Sequence, residues 1–301
     1  MTGPAPLTST TWLTTWSVDL PVLVTALLLT AAYLALARRR HQWPAARTWS
    51  FLIAMTVIVV ATCSFLGAYA HTLFWTLAAQ DVLLAALAPV PLVLSRPLQL
   101  LGRTPGSRPS SPSAFLGSLV VVGLLVAIYA TGLDEARLRH PWLLTTVQVG
   151  LVLTGSGFAG PLFAEHGSAY GLRALAAFVD GLLDAIPGLV VLAGHGRIAA
   201  SYYGARPRSW GPSPAWDQEI GGSVMLVLSE AVGLPAILLV LIRWARSDAD
   251  EAAADDHLLD GGPAAPGAGA DPALQRPWWE TDPGPLAERL GRRGGSADNP
   301  P

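Results

Sequence analysis

The residues that could do chemistry are few, and most stand where they are costly. Gln80, Asp81, Gln148, Asp180, Asp184 and Glu230 interrupt otherwise apolar stretches, and His195 stands at the end of one. A carboxyl in hydrocarbon costs a few kcal/mol on insertion scales, so each of these groups is expected to face a bundle interior or an aqueous cavity. Asp180 and Asp184 are four residues apart, which stacks both carboxyls on one helical face. Two like charges in a low dielectric call for a cation, a basic partner or a shared proton. One reading is a site for a proton, a metal or a basic partner, and the other is a pair of protonated acids hydrogen-bonded between helices. Asp81 follows Gln80 directly and so lies on a neighbouring face, and its plain structural reading is an interhelical hydrogen bond worth roughly 1 kcal/mol. With no arginine expected inside the spans, the acids favour protonated carboxyls or a bound cation over salt bridges.

Among the histidines, His71 and His195 are both expected on the external side, where an imidazole pair could meet a metal. A solvated or capping role for each is the alternative. His41 and His257 belong to charged segments, His140 before Pro141 reads as a helix entry, and His166 falls on the expected cytoplasmic side. The single cysteine, Cys63, rules out an intramolecular disulfide, a thiol pair and a Cys-rich metal site, and reads as a small core residue. No glycine-rich phosphate loop, Gly-x-Ser-x-Gly elbow or His-Glu-x-x-His helix is present, so no catalytic constellation is expected. The arginines are dispersed rather than gathered with aromatics, which argues against nucleic-acid binding.

The elements that must position these groups are membrane helices. The chain is 51% hydrophobic and 13% charged, with mean hydropathy +0.43, and several apolar runs reach the length needed to cross a bilayer. Helices are expected at about 20–37, 47–70, 72–94, 114–133, 142–163, 172–193 and 222–242, giving an all-α bundle of seven transmembrane helices. Residues 1–19 carry no basic residue, whereas Arg38, Arg39 and Arg40 follow the first apolar run. That is the reverse of a secretory signal, so the first helix is expected to be retained. Ten arginines fall on the side of the first, third and fifth loops and the C-terminal end, against five on the other. The positive-inside rule then puts the N-terminus outside and the C-terminus in the cytoplasm. Tryptophans near the expected helix ends fit interfacial anchors. The domain reading is an external segment 1–19, a transmembrane domain 20–246, and an acidic tail 247–301 expected to be disordered and cytoplasmic.

Several motifs carry a resemblance. They are the third-helix ending APVPLVLSRPLQLL (88–101), YAHTLFW before that helix, HPWL at 140–143, the pair Tyr202 and Tyr203, and WDQEIGGSVM (216–225), whose Asp-Gln-x-x-Gly-Gly block is the most specific. Together they resemble the CtaG family of cytochrome c oxidase assembly factors over about residues 20–246. The resemblance implies a non-catalytic protein of the bacterial plasma membrane that helps mature the haem-copper oxidase, with copper as the metal handled and terminal oxidase subunits as partners. The family typically has a Gln-His pair where this chain has Gln80 and Asp81, an earlier histidine where Leu77 stands, and a fifth-helix histidine near Gln148. Carboxylate and amide suit harder cations or protons than copper. The candidate metal set is therefore His71 and His195 on the external side, with Asp81, Asp180 and Asp184 as the intramembrane polar groups. Two other classes stay open: a proton- or cation-coupled transporter using Asp81, Asp180, Asp184 and Glu230, and a membrane scaffold whose tail recruits a partner.

Overall fold

The computed structural model describes residues 5–8, 10–40, 42–102, 111–163, 170–194 and 196–260. It is all-helical over those residues. Six helical stretches are long and apolar enough to cross a bilayer: Leu20–Arg39, Ala45–Tyr69, Phe74–Leu100, Pro141–Leu162, Ala174–Ala193 and Pro214–Ala249. The bent pair Phe115–Ala130 and Leu133–Arg139, fourth in chain order, brings the count to seven when its two legs are taken as one span. Large apolar side chains such as Leu28, Leu116, Leu153 and Leu182 are more than half exposed, as the lipid-facing side of a membrane bundle should be. Trp16, Trp49, Trp142 and Trp216 are exposed near helix ends, as interfacial anchors are.

The first span shows how local chemistry sets its limits. The Asp19 side chain accepts from the Val22 N–H at 3.2 Å, Pro21 occupies the first turn, and Arg38 and Arg39 meet the negative end of the helix dipole. The second span breaks at Ser64, which is extended and caps the restart by accepting from the Leu66 N–H. A short turn then carries His71 and leads into the third span.

The third span is the most buried, with Phe74 and every residue from Thr76 to Val82 in the core. Its midpoint departs from α-helix, because Pro89 has no N–H to offer the Ala85 carbonyl. The chain widens into a π-helical turn, Leu83–Leu87, in which the Ala88 N–H reaches back to Leu83 O at 2.9 Å. Gly155 of the fifth span lies against this turn, and a Cβ added there would stand 2.0 Å from Ala85 O. Replacing Gly155 with Ala should therefore cost about 1–3 kcal/mol by overpacking, read as a lower thermal midpoint in detergent. An unchanged midpoint would mean that the two spans separate freely at this point.

The fourth span determines where the site lies. Its first leg ends at Ala130, Gly132 turns the chain at φ +77°, and a second leg, Leu133–Arg139, departs at 77°. The sequence reading ends the fourth helix near 133 and begins the fifth near 142, which leaves residues 134–141 between them. In the structure the second leg brings Asp134 and Arg137 back into the core, both fully buried. The sixth span is broken at Asp184, three residues before Pro187, whose missing N–H leaves the Leu183 carbonyl without its helical donor.

Residues up to Arg246 make one compact unit and those from Ser247 another. The acidic segment expected to be disordered from 247 begins as helix, since the last helix continues to Asp260. The remainder of that segment, 261–301, lies outside the described residues, as do His41 and His166.

Candidate functional site

Asp81 lies at the centre of the bundle with no exposed surface, and it is paired. Arg137 forks onto it, Nη1 donating to Oδ1 at 2.8 Å and Nη2 to Oδ2 at 2.6 Å, while the Tyr129 hydroxyl donates to Oδ2 at 2.5 Å. On its other side Arg137 donates from Nε and Nη2 to Asp134 Oδ1, at 2.9 and 2.6 Å. The expectation that these acids lack a buried base is thus corrected: a fully buried arginine answers Asp81. Desolvating such ions costs several kcal/mol each, and a bidentate geometry with further hydrogen bonds is what offsets it. Asp134 Oδ2 and Gln80 Oε1 are buried without a protein partner among the described residues. Both Asp81 oxygens already accept from cationic or hydroxyl donors, so this cluster does not fit copper, which prefers imidazole and sulfur and is repelled by a guanidinium.

The second constellation lies at the end of the bundle that carries His71. The N-terminus of the third span has no cap of its own, and Asp217 from the seventh span supplies one. Its Oδ2 accepts from the Phe74 N–H and its Oδ1 from the Trp75 N–H, each at 3.1 Å, and Arg208 donates to Oδ2 at 2.8 Å. The neighbouring Gln218 donates to Val191 O and Gly196 O and accepts from the Ile198 N–H at 2.9 Å. A Cβ on Gly221 would stand 2.6 Å from the Phe74 ring, and one on Gly222 would stand 2.7 Å from Leu192. The Asp-Gln-x-x-Gly-Gly block is therefore the joint at which the seventh span closes on the third and sixth.

His71 belongs to the same end. Its Nδ1 is 2.8 Å from the Tyr202 hydroxyl, and the Arg206 guanidinium is 3.7 Å from the centre of the Tyr202 ring. Although part of the ring meets solvent, burial of the rest and then the positive charge of Arg206 push the His71 pKa below the ordinary histidine value. A neutral imidazole is thus favoured in the fold. The unfolded chain binds the proton more readily, so the stability held in this group is present above the unfolded pKa and is lost as pH falls through the folded one. The wild type should lose more stability than His71→Gln between about pH 7.5 and pH 5, and parallel melting curves across that range would contradict this. His195 lies outside the described residues.

Asp180 and Asp184 share one face of the sixth span as their spacing predicts, with Asp180 buried, Asp184 half-buried and Glu230 within electrostatic reach of Asp184. A cavity of about 40 Å³ adjoins them, lined also by Ala85, Gly155 and Phe158. Ser118 is buried beside Asp180, although its hydroxyl falls outside hydrogen-bond geometry. Among the described residues, no three of His, Cys, Asp and Glu are gathered closely enough to hold a metal. Asp81, the paired acids of the sixth span and His71 thus have separate sets of partners. Sequence reasoning missed Arg137, Asp134 and Tyr129, and it gave Asp217 and Gln218 no role. The signals available were Asp134 and Arg137 one helical turn apart after a glycine, and an acid–amide pair at a helix start.

Comparisons place this architecture. The family pattern of the cytochrome c oxidase caa3 assembly factors matches residues 27–247. Uncharacterized proteins of Mycobacterium bovis and Mycobacterium tuberculosis are each 25% identical over 290 residues, and one of Mycobacterium leprae is 26% identical over 288. Each alignment covers 85% of this chain and 43% of the relative, so the chain spans less than half the length of the relatives it matches. No solved structure matches the chain. With the family pattern running from the first span through the seventh, the chain belongs to the cytochrome c oxidase caa3 assembly factor family.

Proposed function

We propose that this multi-pass bacterial membrane protein serves, without catalysis, in the assembly of a cytochrome c oxidase. Its N-terminus is outside, its C-terminus is cytoplasmic, and the His71 end of the bundle faces outward. One observation carries the reading: the family pattern runs from within the first span through the seventh, including the Trp216–Gly222 joint that closes the bundle. The partners are then subunits of the immature oxidase. Deleting the gene should lower oxidase activity and the haem absorbance of the assembled enzyme, and a deletion strain with normal oxidase spectra would sink the proposal.

Copper handling is the finer reading, and His71 is the residue that favours it. Its neutral imidazole is oriented through Nδ1 by Tyr202, as the outer hydrogen bond of a metal-bound histidine usually is. One imidazole is not a copper site, so the further donors come from His195 or from the client protein. Metal analysis of the purified chain with and without His71→Ala tests this. Equal copper content in the two would remove His71 from any such role.

A further inference from the structure

Beside His71, a cavity of about 540 Å³ opens among the residues from Arg197 to Gln218, a volume usual for a ligand site. Three arginines line it, Arg197, Arg206 and Arg208, against a single carboxylate, Asp217. That carboxylate is committed, since its two oxygens accept from Phe74, Trp75 and Arg208. Arg208 is held by Asp217 and by the Pro212 carbonyl, and Arg206 is stacked on Tyr202 with Nη1 donating to Tyr202 O. Arg197 is exposed and makes no hydrogen bond or ion pair with the described residues. The recess thus carries more positive charge than the protein itself answers.

Its walls add two features. Trp210 is seated edge-on against the buried ring of Tyr69, and Tyr203 against Phe74, so the aromatic surface is fixed. The segment from Arg208 to Gly211 lines the cavity, and its main-chain N–H groups have no main-chain partner among the described residues. Guanidinium groups beside unpaired amides and fixed aromatic rings suit an extended chain bearing carboxylates and an apolar side chain.

We propose that this cavity binds an acidic peptide segment, with its carboxylates on Arg197 and Arg206 and an apolar side chain against Trp210 and Tyr203. This deepens the assembly reading, and it rests on that reading only for the owner of the peptide, an outward-facing acidic segment of the client oxidase.

The test uses the full chain in phosphatidylcholine nanodiscs and a fluorescein-labelled peptide, Gly-Glu-Trp-Glu-Asp-Gly, followed by fluorescence anisotropy. The peptide should bind at least about tenfold more tightly than its Gln/Asn counterpart, Gly-Gln-Trp-Gln-Asn-Gly, and the preference should shrink as salt is raised. Arg197→Gln combined with Arg206→Gln should weaken binding by about tenfold or more. Arg208 is left intact because it supports the Asp217 cap. If the double variant melts lower than wild type, the exposed Arg197→Gln alone is used, with about a threefold to tenfold loss expected. Equal binding of the acidic and neutral peptides would overturn the proposal, as would unchanged binding by the variant. So would displacement of the peptide in phosphatidylglycerol nanodiscs by lipid retained on wild type but not on the double variant, which would assign the cavity to a lipid headgroup. Normal oxidase in a deletion strain would overturn the assembly reading and leave the peptide measurement standing.

Discussion

Replacing Arg137 with Met is expected to destabilise the bundle by about 3–5 kcal/mol, the usual cost of removing one partner from a buried ion pair. Arg137 is the only cation in contact with Asp81 and Asp134 among the described residues, and all three side chains are fully buried. Its loss strands two carboxylates in the core and leaves the Tyr129 hydroxyl as the one remaining donor to Asp81. Asp81→Asn should cost less, about 1–3 kcal/mol, because Arg137 keeps Asp134 and the amide oxygen still accepts. The double variant should then cost less than the two single losses added together, since the interaction each removes is the same one. Thermal unfolding in detergent, with the yield of folded protein as a second readout, measures all three. Strict additivity, or a costlier Asp81→Asn than Arg137→Met, would show that the pair is not what holds this part of the core.

That cluster also marks where the sequence was legible and where it was not. The apolar runs announced the six long spans, and a seventh where the bent pair Phe115–Ala130 and Leu133–Arg139 counts as one, because a stretch long enough to cross a bilayer has few alternatives in composition. The expense of Asp81 was equally plain from its apolar flanks, but its partner was not. Arg137 sits in Leu133–Arg139, a segment dense in charge that falls between the expected fourth and fifth helices, and only the bend at Gly132 returns it to the core. Hydropathy averages over a window, so a short charged helix folded back beneath a span is invisible to it. The Asp180–Asp184 pair was read correctly as one face, since helical spacing is local. Asp217 was harder to interpret, because its partners, Phe74 and Trp75, lie more than 140 residues earlier, and a cap supplied by another helix leaves no spacing rule in the sequence.

Asp217 therefore offers the other large effect. Asp217→Ala removes three hydrogen bonds at once and uncovers two main-chain N–H groups at the start of the most buried span, together with the Arg208 guanidinium. A lost cap costs about 0.5–2 kcal/mol and hydrogen bonds to a charged group about 1.5–3 kcal/mol, so a total of about 2–4 kcal/mol is expected. Asp217→Asn keeps one acceptor oxygen but turns a donor toward groups that are themselves donors, and it should fall between alanine and wild type. The loss should also be local before it is global. Hydrogen exchange at the Phe74 and Trp75 amides should rise in Asp217→Ala well below its melting temperature, while exchange in the π-helical turn at Leu83–Leu87 stays protected. Uniform loss of protection along the third span would mean that Asp217 supports the bundle as a whole. Unchanged exchange at Phe74 and Trp75 would mean that water replaces the carboxylate at no cost, and that the Asp217–Gly222 block acts through its glycines alone.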